Sequence, residues 1–217
     1  MNKFFVLIAL VLLLGACQKD SLKINESPDV ASLLLDNQLT SLMLSVSAHD
    51  GSFDDVVDQS DCFSINFPYQ ILLNGESHNV NTINDLLVIH EQDSVAPIFP
   101  VDITFANYVP GAINNNNDLQ SLIDQCAGGY LYNDRITCVD FVYPISIALY
   151  DTNNSDFETI IFDHDIETFV TLDNFNEDSI ASINFPIEIL IGEGTVQSIQ
   201  DLESLKSELI INAIQCK

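Results

Sequence analysis

Four stretches of this chain alternate apolar and polar positions with a period of two, and they share one phrase. Ser64-Ile65-Asn66-Phe67-Pro68 returns letter for letter as Ser182-Ile183-Asn184-Phe185-Pro186, with looser copies at Ile98-Phe99-Pro100 and Val142-Tyr143-Pro144. Each continues as Pro-x-x-Ile, from Pro68 to Ile71, Pro100 to Ile103, Pro144 to Ile147 and Pro186 to Ile189. In the first copy Ile65, Phe67, Tyr69, Ile71 and Leu73 hold one phase, and Asn66, Pro68, Gln70 and Leu72 the other. Residues two apart on a strand share a face, so the pattern predicts a half-buried strand. The inward phase reads Phe99, Val101, Ile103, Phe105 in the second copy and Phe141, Tyr143, Ile145, Ile147, Leu149 in the third. In the fourth it reads Ile183, Phe185, Ile187, Ile189, Ile191. The Pro always falls outward. It lacks an N–H, so each strand is expected to begin near its Pro or to run along a sheet edge.

A turn follows each strand. Asn74-Gly75 is a strong hairpin signal, and Gly192-Glu193-Gly194 and Asp151-Thr152-Asn153-Asn154 stand at the corresponding places. A second strand is expected to pair back through Val80, Val196 and the stretch Thr159 to Phe162. Helix starts come next. Thr82 and Asp85, like Ser198 and Asp201, place a hydroxyl three residues before an acid, the spacing of a capping box. Asn115 to Asp118 takes this part in the second copy, and Asp163 is the expected cap in the third, before Ile166, Phe169 and Val170. The unit is strand, turn, strand, helix, with a length of roughly 30 to 45 residues that marks structural repeats.

Ahead of the first copy, Leu35, Leu39, Leu42 and Val46 fall on one face of a helix, and Val30 and Leu34 extend it. Ser27, Pro28 and Asp29 form its expected start, and Gly51 stands near its end. Such a helix is expected to cover an exposed sheet face of its own domain. An acidic connector, Phe53 to Ser60, leads on to the first copy.

Cysteines group the copies in pairs. Cys62 opens the first copy and Cys126 closes the second; Cys138 opens the third and Cys216 closes the fourth. Cys62 and Cys138 share a register ahead of their Pro, and Cys126 and Cys216 both follow a helix. The expected disulfides are therefore Cys62–Cys126 and Cys138–Cys216, with Cys126–Cys138 as the competing pairing. The predicted fold is α+β: four strand-turn-strand-helix repeats paired into two disulfide-stapled modules, preceded by an N-terminal helix. Mostly-β sandwich modules are the alternative.

Charge narrows the function classes. Six Lys and Arg stand against 32 Asp and Glu, a formal net charge of −26, and no basic residue lies between Lys23 and Arg135. A surface this negative repels phosphate backbones, which argues against nucleic-acid binding. It suits divalent or cationic partners, or solubility in a salty medium.

The N-terminus supplies an address. After Met1-Asn2-Lys3, Phe4 to Leu14 is an unbroken apolar run. It is too short for a bilayer span, which takes about 20 residues, and suits a signal-peptide core. Leu14-Gly15-Ala16-Cys17 follows and resembles a bacterial lipobox. That resemblance implies cleavage before Cys17 and acylation of Cys17, a stable anchor when several acyl chains are buried. Gln18-Lys19-Asp20 is similar to the lipoprotein export signal of Bacteroidota, which directs lipoproteins to the cell surface. Ser21-Leu22 depart from its acidic continuation. The Cys…Phe/Tyr-Pro-x-x-Ile repeats resemble those of hypothetical lipoproteins of marine members of that group, and this likeness carries no activity with it. The implied organisation is a signal peptide over 1–16, a lipidated tether over 17–27 and a helix with connector over 28–61. Repeat modules follow over 62–130 and 131–217. The implied location is the outer membrane, lipid-anchored and surface-exposed, with a periplasm-facing orientation as the alternative.

Candidate chemistry is sparse. His49, His78, His90 and His164 form no His-Glu-x-x-His, and none lies near a Gly-x-Ser-x-Gly elbow. Asp151, Asn153 and Ser155 place side-chain oxygens at alternate positions, as a Ca²⁺ loop does, but no Gly stands at the sixth position and Phe162 stands where the bidentate Glu belongs. Asp163 and Asp165 flank His164 as a second candidate divalent site. Solvated Asp and Asn turns are the alternative for both; no other cofactor is expected. The expected role is a non-catalytic, surface-anchored lipoprotein, not an enzyme, with a structural, adhesive or binding function and a protein or glycan partner. The alternative is an accessory carbohydrate-binding lipoprotein of a polysaccharide-uptake system, with Tyr108, Tyr130 and Tyr132 as its sugar-stacking candidates.

Overall fold

Each Phe-Pro or Tyr-Pro phrase marks the place where the chain leaves one sheet and enters another. The computed structural model describes residues 37–90, 92–175, 179–192 and 194–215. The leader, Cys17, the tether, the helix start at Ser27-Pro28-Asp29 and Cys216 lie outside the described residues. The description begins with helix α1 (Asn37–Val46), a 3-10 turn (Ser52–Asp54) and the short helix α2 (Asp55–Asp58). The first copy comprises β1 (Phe63–Ile65), β2 (Tyr69–Leu73), β3 (Glu76–Val80) and a 3-10 helix (Ile83–Val88). The second comprises β4 (Val95–Pro97), β5 (Val101–Phe105), β6 (Pro110–Ile113) and α3 (Asn116–Ala127). The third has β7 (Val139–Val142), β8 (Ile145–Asp151), β9 (Asp156–Phe162) and α4 (Asp165–Asp173). The fourth has β10 (Ser179–Ile183), β11 (Ile187–Ile191), β12 (Thr195–Ile199) and α5 (Leu202–Gln215).

The sheets are antiparallel, three-stranded, and shared between copies. Their orders are β1-β5-β6, β3-β2-β4, β10-β8-β9 and β12-β11-β7. The first strand of each copy is thus the edge partner of the middle strand of the other copy in its module. The fold is α+β, as expected, with one correction. The single strand expected through each phrase is two strands in two sheets, with a cis Phe-Pro or Tyr-Pro peptide at the crossing. The Pro sits outside every ladder there, so its missing N–H breaks no sheet hydrogen bond, and the strand that follows it is central rather than an edge.

The exchange places the inward phases of both copies on one core. In the first module Phe63, Ile65, Tyr69, Ile71, Val101, Ile103 and Ile113 form a buried cluster. In the second, Phe141, Ile145, Ile147, Phe162, Ile183, Ile187 and Ile189 do so with Leu205 and Leu209 of α5. Full burial of such a side chain contributes about 1.5–3 kcal/mol, which makes these clusters the main stabilising feature.

The helix caps follow the sequence in two copies and depart in two. Thr82 and Asp85 form the expected capping box, although the helix they start is 3-10. Asn115 accepts from the Asn117 and Asp118 amides. At α5 the cap is Asp201, whose carboxylate accepts from the Ser204 amide at 2.8 Å; Ser198 instead lies within β12. At α4 His164 occupies the cap position, and Glu167 accepts from the Asp163 amide at 2.8 Å. The carboxylate that ties off this helix start therefore comes from inside the first turn, not from Asp163.

Cys62 and Cys126 form a disulfide with Cα atoms 5.9 Å apart and 64 residues of separation. It ties the end of α3 to the start of β1, and closing a loop of this size stabilises by about 4 kcal/mol in the chain-entropy model. Cys138 is also disulfide-bonded. Its sulfur lies 3.8 Å from the Asn212 carbonyl oxygen near the end of α5.

Helix α1 and the connector after it serve different modules. Leu39, Met43 and Val46 on α1 enter the core of the second module, which is farther along the chain. Phe53 and Val57 of the connector enter the core of the first. Gly51 makes the connector's close approach: a Cβ there would lie 2.6 Å from the Asp61 carbonyl oxygen and 2.8 Å from the Phe63 amide nitrogen. Between the modules, the Tyr108 hydroxyl donates to the Ser47 carbonyl at 2.9 Å. The rings of Tyr108 and Tyr132 meet Phe169 edge-on at 5.5 and 5.7 Å. Among the described residues, no helix is long and apolar enough to cross a membrane.

Candidate functional site

The copies share a plan, so a specific site belongs where one copy departs from it. The departure is the hairpin of the third copy. In the first copy the β2–β3 ladder ends at Leu73↔Glu76, and Asn74-Gly75 turns the chain with positive φ at both residues. In the third, the corresponding rung is Leu149↔Glu158, and the ladder runs on through Tyr150↔Phe157 and Asp151↔Asp156. Strand β10 lengthens the sheet to match, pairing Ile180 with Tyr150.

The extra rung carries an aromatic pair. Tyr150 and Phe157 lie 4.6 Å apart between ring centroids, tilted by 38°. They project from the face opposite Ile147 and Ile145, which are buried in the core. Phe157 is 76 % exposed, and Ile180 and Ile161 on the same outward phase are exposed as well. In the first copy the outward rung beneath the turn is Leu72↔Ser77, with no aromatic residue, and farther from the turn the same face carries a Gln70–Asn79 amide hydrogen bond at 2.8 Å. An exposed apolar row is the kind of surface that marks a contact site.

The turn beyond that row contains the first sequence-derived metal candidates. The Asp151 carboxylate accepts from the amides of Asn153 and Asn154 at 2.8 and 3.3 Å and from the Asn154 side chain at 2.6 Å. These hydrogen bonds favour its charged form and hold its pKa below the usual carboxylate range. Asp151 therefore works within its own turn, and Ser155 takes a left-handed φ of 55° to close it. Asp163 and Asp165 lie past the other end of β9, so the structure does not bring the two candidate sets together. Asp163 is exposed. Asp165 accepts from the Tyr143 hydroxyl at 2.7 Å, and Tyr143 also meets the Thr168 hydroxyl at 2.9 Å. Burial pushes the Asp165 carboxyl up and the Tyr143 phenol up. This network ties the third phrase to the first turn of α4.

Two other constellations draw attention. The Nε2 of His49 lies 2.6 Å from the Ser64 hydroxyl, a hydroxyl–imidazole contact of the kind nucleophilic catalysis uses. Ser64 is only 2 % exposed within β1, and the His49 ring packs against Phe53 and Tyr108. Burial lowers the His49 pKa, so the imidazole is held neutral. The second is the pair Asp54 and Asp58, both 0 % exposed, on one side of the connector's helical turn. Burial raises Asp54 to about 7 and Asp58 to about 9. Ser64, Asp54 and Asp58 are buried, while His49 is half-buried.

Of the tyrosines proposed from sequence for sugar stacking, Tyr108 and Tyr132 are half-buried against Phe169. Their position off the repeat pattern reflects a junction between modules. Tyr130 is 83 % exposed, beside Gln120, Asp124 and Gln125 of α3. Tyr150 and Phe157 were missed because they stand next to an apparently solvated turn. The available signal was Tyr150 itself, an aromatic on the outward phase of the third copy. A cleft in the first module is lined by both of its phrases, from Asn66 to Gln70 and from Ile98 to Asp102. Among the described residues, Asp61, Cys62 and Cys126 are a group spaced to hold a metal, but the two sulfurs are joined in the disulfide. No known protein family, curated protein or solved structure matches this chain.

Proposed function

We propose that this chain is a non-catalytic lipoprotein, anchored through Cys17 to the outer membrane and displayed at the cell surface, that binds a partner through the face bearing Tyr150 and Phe157. The observation that carries the binding role is the extended rung: the one hairpin that outgrows the common plan exposes an aromatic pair at its end. The address rests on Leu14-Gly15-Ala16-Cys17 and Gln18-Lys19-Asp20. The burial of Ser64, Asp54 and Asp58 favours a binding role over a hydrolytic one.

The partner reading favoured by the face is a neutral glycan. Aromatic rings present apolar faces to sugar C–H groups, and Thr152, Asn153, Asn154 and Ser155 supply exposed polar groups beside them. An anionic glycan would meet the acidic surface unfavourably. Two experiments test the proposal. Labelled palmitate should enter the wild-type chain and not Cys17→Ala, and protease added to intact cells should remove the folded part. Neutral-glycan arrays should retain the wild-type chain and lose it on Phe157→Ala; retention of that variant would reject the face.

A further inference from the structure

The connector between α1 and the first module is short, acidic and folded against the edge of β1. In sheet β1-β5-β6, β1 pairs with β5 on one side only. On its other side Gly51 packs against the Phe63 backbone, and Asp54 Oδ2 accepts from the Ile65 amide at 2.7 Å. The connector thus covers an edge that would otherwise expose unpaired backbone groups. Asp58, four residues after Asp54 on the same helical face, accepts from the Ser60 amide at 3.1 Å through Oδ1.

Each carboxyl uses one oxygen in these contacts. Among the described residues the other two, Asp54 Oδ1 and Asp58 Oδ2, are buried without a hydrogen-bond partner, and so is the Tyr69 hydroxyl of β2, which senses both charges. No cation among the described residues answers them. The charges acting on the pair come from Asp50 and Asp55 of the same segment, and both are negative. Asp61 acts on Asp55 and is negative as well. Strands β1 and β4, packed against the connector, carry no titratable side chain, and Asp85 of the 3-10 helix is engaged with the Asn81 and Thr82 amides. His49, beside Ser64 of β1, is held neutral by burial. Arg135 is paired with Asp50. Two bare carboxylates buried in this setting would be strongly unfavourable. Three oxygens, one of them a neutral phenol, fall short of the six to eight ligands a Ca²⁺ ion takes. A proton needs only two.

We propose that Asp54 and Asp58 share a proton in the folded chain, and that this proton latches segment 51–60 onto the edge of β1. The proton sits between Asp54 Oδ1 and Asp58 Oδ2, so one carboxylic acid donates to one carboxylate. The Ile65 and Ser60 amides stabilise the remaining negative charge. Loss of the proton to solvent base leaves two facing carboxylates beside Asp50 and Asp55, and the connector is released from β1. Burial raises both carboxyls in the direction this requires. The latch is thus closed in acid and at neutral pH and opens in base.

The test uses the full chain in detergent micelles, ¹³C-labelled, with side-chain carboxyl shifts followed from pH 3 to 10 and melting temperatures taken across the same range. The wild-type chain is expected to show a carboxyl signal that titrates at least two pH units above an ordinary Asp, and a melting temperature that falls as pH rises from about 4 to 9. Asp58→Asn replaces the shared proton by an amide N–H, so it should lose that signal and flatten that fall. If both Asp carboxyls titrate with the ordinary ones, or if Asp58→Asn keeps the wild-type slope, the latch is overturned. A melting temperature raised by Ca²⁺ at pH 8 in wild type but not in Asp58→Asn would also overturn it, in favour of a bound cation. Should Asp58→Asn fail to fold, the wild-type carboxyl titration decides alone.

Discussion

The two modules repeat one strand plan and are finished differently. Each exchanges its first strands between copies, and each carries its own buried cluster. The second is covered by α1, an apolar helix surface of Leu39, Met43 and Val46. The first is covered by the connector, which inserts Phe53 and Val57 but also two buried carboxyls. The outer surfaces differ as well: a Gln70–Asn79 amide pair on a short hairpin in one, and a Tyr150–Phe157 pair at the end of a lengthened hairpin in the other. Strand pairing and core depend on what the copies share. Cover and outer face depend on what they do not, and there a specific function has room to evolve.

The comparison can be broken in several ways. Replacing both Cys62 and Cys126 by Ser should destabilise the first module by about 4 kcal/mol, within the range for a loop of this size. Denaturation followed at first-module resonances would measure it, and an unchanged midpoint would remove the staple from the account. Met43→Ala should cost about 2–5 kcal/mol, because Met43 is fully buried where α1 meets the second module. A loss confined to first-module signals would contradict the division of covers.

The pH dependence sharpens the contrast further. Burial raises Asp54 to about 7, and burial followed by the Asp54 charge raises Asp58 to about 9, whereas unfolded Asp titrates near pH 4. The folded state therefore binds protons that the unfolded state has released. Their contribution is fully present below about pH 4 and is lost as pH rises through the two folded values. First-module stability should fall over that window more steeply than second-module stability, as read by amide exchange in each module. Smallest is the effect of Tyr150→Ala and Phe157→Ala on stability. Phe157 is largely exposed, so each should change unfolding free energy by about 0.5–1.5 kcal/mol at most, the worth of the aromatic pair.

Much of this architecture was legible in the chain. Period-two alternation named the inward residues Ile65, Ile71, Ile103, Ile147 and Ile189, all of which are buried. Cysteine register named Cys62–Cys126. Thr82 and Asn115 announced their helices because capping is local chemistry. What the alternation could not show is that the chain changes sheets at each phrase. The inward phase continues on both sides of the Pro, so one strand and two strands in different sheets give the same pattern. The caps at Asp201 and Glu167 were missed because several oxygen-bearing residues compete at those helix starts. Asp54 and Asp58 were hidden among 32 acids; only tertiary packing distinguishes a buried carboxyl from a solvated one. The Tyr150–Phe157 rung was half-visible, since Tyr150 broke the outward phase, but its partner across the hairpin depended on where the turn fell.

The central claim is that function resides where the third copy departs from the plan. It is tested most directly by neutral-glycan binding of the full chain, comparing wild type, the double variant Tyr150→Ala/Phe157→Ala and the first-module variant Gln70→Ala/Asn79→Ala. The account predicts that binding survives the first-module change and is lost in the aromatic variant while the melting temperature stays close to wild type. Binding that persists without Tyr150 and Phe157, or that disappears with Gln70 and Asn79, would contradict it.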